Sequence, residues 1–226
     1  MKAGEFIAAT MAASGVRSWC AVAGASHTHL LDALDREGVR IVSSRHESGA
    51  VSAADGYARV RGVPGVALVI ADQGLANAVG GLAAAFHANS PVLLIVAATP
   101  GAYTESAAPI DAGKLDLVAG ISKWSRTVTQ PARIVDYLRT ALAQATSGRP
   151  GPAVLVIPAE LLNADIGEAT PAKLPAVAPP APDHVAIEEA AALLTAAMTT
   201  LAIAGAGAAW GGANRGLWCP ANELGG

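Results

Sequence analysis

The densest run of chemistry-bearing residues is Arg45-His46-Glu47-Ser48-Gly49-Ala50, continuing through Ala53-Ala54-Asp55-Gly56-Tyr57-Ala58-Arg59. It lies where an apolar strand pattern, Val39 to Ser43, gives way to an alanine-rich helical pattern, Glu47 to Arg61. Glu47 therefore falls in a first helical turn, where the macrodipole favours a carboxylate. On spacing alone the ordinary reading of Glu47 is a favourable helix-start charge. The functional reading rests on its surroundings. Ala50, Ala53, Ala54 and Ala58 put only small side chains along the helix and leave room for another surface. A carboxylate placed there can accept and return a proton.

Strand and helix patterns alternate around this run. Phe6, Ile7, Met11 and Ala12 recur at helical spacing, with Gly15 as a C-cap candidate. Arg17 to Val22 reads as a short buried strand, and Thr28 as the cap of a helix through Leu30, Leu31 and Leu34 that stops near Gly38. Further strands are expected at Val66 to Ala71, Val92 to Ala97 and Ala153 to Ile157. Helices are expected at Leu75 to His87 and Ile134 to Ala145. The strands are short and continuously apolar, as in a parallel sheet covered by helices on both faces. The fold class is thus α/β. Ligands of such sheets sit at loops after the carboxyl ends of strands. Here those loops begin at Ala23, Ser44, Ala71 and Ala98.

The composition narrows the function classes. The 226 residues are 52% hydrophobic and 15% charged, which excludes a disordered chain. A net charge of −3 argues against nucleic acid or an anionic membrane as partner. Gln73 to Thr104 lacks Lys, Arg, Asp and Glu, but Asn, Gly and Pro residues cut it too short for a membrane helix. The two cysteines make neither a disulfide scaffold nor a metal cluster, and Cys20 reads as a buried free thiol. Glu5 interrupts any secretory apolar stretch, so a cytoplasmic location is expected.

Composition shifts again at Asn163 to Asp183, where Pro171, Pro175, Pro179, Pro180 and Pro182 mark a semi-rigid linker. Beyond it, Val185 to Met198 reads as a helix. Leu201 to Ala204 reads as a strand running into Gly205-Ala206-Gly207. The expected organisation is a domain over 1–162, a linker over 163–184, and the incomplete start of a second α/β domain over 185–226. The helical pattern is lost after Leu217, which suggests a truncated or frame-shifted product, or a fragment of a longer gene.

Residues 45 to 59 resemble the signature of the pyrimidine-binding (PYR) domain of thiamine diphosphate (ThDP) enzymes of the acetolactate synthase and benzoylformate decarboxylase type. Ala76-Asn77 with Gly81-Leu82-Ala83, Ser90-Pro91-Val92-Leu93, Lys123-Trp124-Ser125, Arg149-Pro150-Gly151-Pro152-Ala153 and Ile157-Pro158 resemble later family motifs in order and spacing. The resemblance covers roughly residues 3 to 162 and touches the family's central domain at Ile203 to Ala208. It implies that Glu47 is the catalytic carboxylate that hydrogen-bonds the cofactor's pyrimidine nitrogen N1′ and so promotes loss of the thiazolium C2 proton. It further implies that Gly24, Gly74 and Asn77 bind the cofactor, with Gly74 and Asn77 in a loop facing it. Ala25, Ser26, His27 and Gln73 become substrate-side candidates. His27 reads first as a water-exposed residue at the start of a helix, and as one that could reach the cleft. His46 is expected to orient the strand end, and His87 to be structural.

Departures from the family pattern are informative. Ala71-Asp72-Gln73-Gly74 stands where relatives carry Ser-Gly-Pro-Gly, and Ala23-Gly24 where they carry Pro-Gly. These changes bear on substrate identity. No Gly-Asp-Gly motif occurs, so the Mg²⁺ and diphosphate site of the family would come from a domain absent here, and no metal ligand is assigned. The Gly205 to Gly211 stretch allows contact with FAD, which some relatives use. The resemblance implies a 2-oxo acid decarboxylase or carboligase that assembles as at least a dimer. The alternatives are a stand-alone PYR subunit resembling sulfopyruvate decarboxylase, whose partner subunit supplies the metal site, and a non-catalytic binding module.

Overall fold

A computed structural model describes residues 1–70, 72–103, 115–175, 178, 180–213 and 216, with only the backbone at Asp72. Six strands form one sheet: β1 Ser18–Ala21, β2 Arg40–Ser43, β3 Gly65–Ile70, β4 Val92–Ala98, β5 Trp124–Thr127 and β6 Ala153–Pro158. Every pairing is parallel, in the order β2-β1-β3-β4-β6-β5. The connecting helices are α1 Ala3–Ala13, α2 Thr28–Arg36, α3 Glu47–Arg61, α4 Asp72–His87, α5 Ile134–Thr146 and the short α6 Ala159–Leu162. The expected α/β fold is therefore present.

Alternate strand residues feed two separate cores, as the period of a strand requires. Trp19, Leu68, Leu93, Ile95 and Leu155 pack with α1, α2 and α5 on one face. Cys20, Ala67, Val69, Leu94, Val96 and Val154 pack with α3 and α4 on the other. Cys20 is the buried free thiol expected from its setting. On the second face small residues allow close helix packing. A Cβ on Gly81 of α4 would stand 2.8 Å from both the Ser48 carbonyl and the Val51 Cβ of α3.

Three motif segments turn out to be fasteners. Arg59 donates to both carboxylate oxygens of buried Asp55, at 2.8 and 2.5 Å, and to the buried Ser90 hydroxyl at 3.2 Å. The end of α3 is thereby tied to the turn before β4. Arg149 donates to the Asn89 side chain and lies over the Phe86 ring, clamping the end of α4. The Lys123 ammonium donates to the Gln144 and Ser147 carbonyls at the end of α5. Its stem lies against Gly151, where an added Cβ would sit 3.0 Å from the lysine chain.

Several local expectations change. Thr28 does not cap α2, because a 3-10 turn at Ala25–His27 precedes the helix and places His27 at the N-cap position. β5 was not anticipated. It is a four-residue edge strand carrying Ser125 and Arg126, too short and polar to show an apolar run. Leu201 to Ala204 adopts no strand, and Leu201 and Ile203 are exposed. Four residues with no partner strand among the described residues do not have a strand's backbone groups satisfied.

Two compact units divide the chain, Met1–Val177 and Ala178–Gly226. In the first, the stretch after α6 returns to the core, where Ile166, Ala169 and Leu174 pack and the Leu174 N–H donates to the Ser14 hydroxyl at 3.0 Å. The second carries α7 His184–Ala196 and α8 Ala206–Trp210, neither with a buried residue. The stretch after Leu217 lies outside the described residues. Among the described residues, no helix is long and apolar enough to cross a membrane.

The Arg59 clamp carries a stability prediction. Arg59→Met leaves the Asp55 carboxylate buried without its cation. We expect a loss of about 1–2 kcal/mol in denaturant unfolding, moderated because Arg59 itself is half in water. An unchanged unfolding midpoint would show that the clamp contributes nothing.

Candidate functional site

The strand order β2-β1-β3 sets three loops side by side at the carboxyl edge of the sheet. The loop after β2 leads directly into α3, with His46 at the N-cap and Glu47 as the first helical residue. The His46 Nδ1 accepts from the Ser48 N–H at 3.2 Å, so His46 closes the helix start. Glu47 is only 8% exposed, an unusual position for a carboxylate without compensation. Compensation comes from the helix N-terminus and from Asn77, whose amide donates to Glu47 Oε2 at 3.0 Å.

Asn77 reaches Glu47 because α4 begins at Asp72, almost at once after β3, and runs beside α3. Gly74 and Asn77 thus belong to the opening turns of a helix, not to an extended glycine-rich loop. Ala71, at the strand–helix junction, lies outside the described residues. Gly74 is buried against the same carboxylate side chain, since a Cβ there would meet Glu47 Cγ at 3.5 Å. Gln73 is exposed in the first turn of α4.

The loop after β1 forms a second group. The Gly24 N–H donates to His27 Nε2 at 3.0 Å. His27 is 1% exposed, which overturns its reading as a water-facing residue: its ring turns inward to satisfy the backbone of its own loop. The neutral tautomer then carries its proton on Nδ1, which is buried without a well-formed hydrogen bond among the described residues. Ser26 donates to the Ala97 carbonyl at 3.1 Å, reaching over the end of β3 to β4. Ala25 is exposed.

Ile70, the last residue of β3, joins the two groups, and sequence reasoning did not single it out. A Cβ on Gly24 would collide with Ile70 Cγ2 at 2.3 Å, and one on Gly74 would touch Ile70 Cγ1 at 3.4 Å. Its position at the carboxyl end of a central strand was the available signal. Thr99, just after β4, was missed too; its hydroxyl is buried without a partner among the described residues. His87 is exposed, edge-on to the Phe86 ring and remote in sequence from these loops. Among the described residues, no group of three or more His, Cys, Asp or Glu is placed to hold a metal ion.

Comparison with known proteins follows the same outline. A family model described as "Thiamine pyrophosphate enzyme, N-terminal TPP binding domain" matches residues 1–117. The chain is 39% identical over 159 residues to 2-hydroxyacyl-CoA lyase 2 of Mus musculus, covering 70% of this chain and 25% of that protein. It is 31% identical over 223 residues to a probable acetolactate synthase large subunit of Methanocaldococcus jannaschii, covering 96% of this chain and 38% of the relative. A probable acetolactate synthase of Mycobacterium bovis is 29% identical over 221 residues, with 96% and 40% covered. The chain thus spans between a quarter and two-fifths of these relatives' lengths.

Burial pushes the His27 imidazole from its ordinary 6.5 down to about 4, with the Val22 carbonyl working weakly the other way. The folded chain therefore binds this proton more weakly than the unfolded chain does. The stability tied to neutral His27 is complete above about pH 6.5 and erodes as the pH falls towards about 4. The loss across that window is about 3 kcal/mol. Denaturant unfolding at successive pH values should show it, and His27→Gln, which keeps an acceptor but does not titrate, should flatten the profile. An identical slope in the variant would remove His27 from the account.

Proposed function

This chain belongs to the thiamine pyrophosphate enzymes through their N-terminal TPP-binding domain, and from that premise we propose that Glu47 meets the aminopyrimidine of thiamine diphosphate. The observation that supports this most is the buried Glu47 carboxylate at a helix start, with one oxygen held by Asn77. Asn77 fixes the plane of the carboxylate and leaves Oε1 as the acceptor for a ring N–H. When bound, the cofactor supplies the carbanion chemistry that side chains lack. Glu47 would hold a proton at ring N1′ and accept it back. Gly74 keeps the space beside Glu47 free of a side chain. Gly24, fixed by His27 and Ile70, sets the height of the substrate-side loop with Ala25 and Ser26.

The residues fit the pyrimidine half of the cofactor. Among the described residues there is no group of acidic or imidazole ligands for the Mg²⁺ that accompanies the diphosphate, which needs several oxygen donors. That half is proposed to come from another domain or subunit. The exposed faces of α3 and α4 suit such a partner. Gly49, Ser52, Ala53 and Gly56 on α3, and Ala76, Gly80 and Ala84 on α4, are small, uncharged and solvent-facing. A surface of that kind lets another backbone approach closely, and the proposal includes an assembly of at least two chains.

For the reaction, the proposal is cleavage or formation of a carbon–carbon bond next to a carbonyl, with a 2-oxo acid as substrate in the manner of the acetolactate synthases. A relative named as a lyase, 2-hydroxyacyl-CoA lyase 2, supports this class and not a particular substrate.

Glu47→Gln in the complete assembly should slow exchange of the cofactor's C2 proton by about a hundredfold or more. Exchange at the normal rate would take Glu47 out of the mechanism. Calorimetric titration with thiamine diphosphate and Mg²⁺ separates the classes. Heat only when the diphosphate-binding partner is present supports a shared site. No heat in either case supports a non-catalytic module.

A further inference from the structure

One groove of the first unit lies at the end of the sheet opposite Glu47. It is bounded by Ser14 and Val16 before β1, Pro64 before β3, the α5 face at Arg139, Leu142, Ala143 and Thr146, and the returning segment Lys173 to Pro175. The groove residues before β1 and β3 and on α5 precede the amino ends of strands, with the segment after α6 laid beside them, whereas Glu47, Gly24 and Asn77 follow carboxyl ends. A six-residue strand separates the two ends by roughly 20 Å. The groove therefore shares no residue with the proposed cofactor site.

Its floor is apolar: Val16, Pro64, Leu142, Ala143, Leu174 and Pro175. Its two hydroxyls are spent, Ser14 donating to the Thr10 carbonyl and Thr146 to the Leu142 carbonyl. What remains to recognise a polar group is a pair of cations, Arg139 and Lys173. Neither makes an ion pair or a side-chain hydrogen bond with any described residue, and no acidic residue is among the described residues that line the groove. In a chain of net charge −3, two cations without an acidic partner give this apolar groove a local positive excess that complements an anion. The cavity volume is about 220 Å³, below the range of drug-sized ligand sites.

We propose that this groove binds a small amphipathic anion, a short hydrocarbon body with a carboxylate head seated between Arg139 and Lys173. The body covers Leu142 and Leu174, and occupancy joins the Lys173 to Pro175 segment to α5. A ligand seated there couples the segment leaving the first unit to its core, independently of events at Glu47.

Octanoate is the probe. In a ¹H–¹⁵N titration of the full chain, octanoate should move the amides of Leu142, Ala143, Thr146 and Leu174 before those of Glu47 and Asn77. Octylammonium should move none of them. Octanol, or octanoate on the Arg139→Gln/Lys173→Gln double variant, should bind about tenfold more weakly, the worth of two exposed ion pairs. Both side chains are solvent-exposed, so the substitutions leave the core intact. Octanoate should also protect the Lys173–Leu174 bond from trypsin. Octanoate that leaves the groove amides unmoved would overturn the proposal, as it would if the groove takes a polypeptide segment instead. Equal binding of octanol, or undiminished binding to the double variant, would overturn it as well.

Discussion

One contact between two helices organises the carboxyl end of this sheet. The Asn77 amide donates to the Glu47 carboxylate across 30 positions of sequence, and it can do so only because α3 and α4 lie close together. Closeness depends on absent side chains. Gly81 faces the Ser48 carbonyl and Val51, and Gly74 faces Glu47 itself. A buried carboxylate is costly unless it is hydrogen-bonded, and here the helix start and the amide share that task. Whatever Glu47 does chemically, it does from a position fixed by backbone approach.

The length of the motif around Glu47 has a mechanical reason. Asp55 and Arg59 lie two and three turns further along α3 and do not face the site; they lock α3 to Ser90. Arg149 clamps the far end of α4, and Lys123 closes α5 while packing on Gly151. Segments that read as separate motifs are thus partners in a few contacts that hold α4 and α5 against the sheet. The role proposed for Glu47 falls on one acidic residue, while Asp55 and Arg59 keep its helix from shifting.

Much of this was legible because the signals were local. Glu47 to Arg61 coincides with α3, since a strand end, an acidic first turn and a closing glycine mark its bounds. The continuous apolar runs gave the four inner strands β1, β3, β4 and β6. What stayed hidden depended on distant partners. His27 is buried with its ring accepting from Gly24, three residues back in the same loop, and spacing says nothing of such a turn-in. Ile70 matters through its two γ-carbons, which wedge against Gly24 and Gly74 together. β5 is a strand only because β6 is beside it. Leu201 to Ala204 carries a strand's composition without a neighbouring strand, and composition alone did not make one.

The central claim is that the carboxylate of Glu47 engages ring N1′ of the cofactor, and nitrogen NMR addresses it directly. Thiamine diphosphate labelled with ¹⁵N at N1′ would be bound with Mg²⁺ to the complete assembly, for the unaltered chain and for Glu47→Ala. The account expects a hydrogen-bonded N1′ resonance with the unaltered chain and a return to the free-cofactor position in the variant. The same bound resonance in both would contradict it.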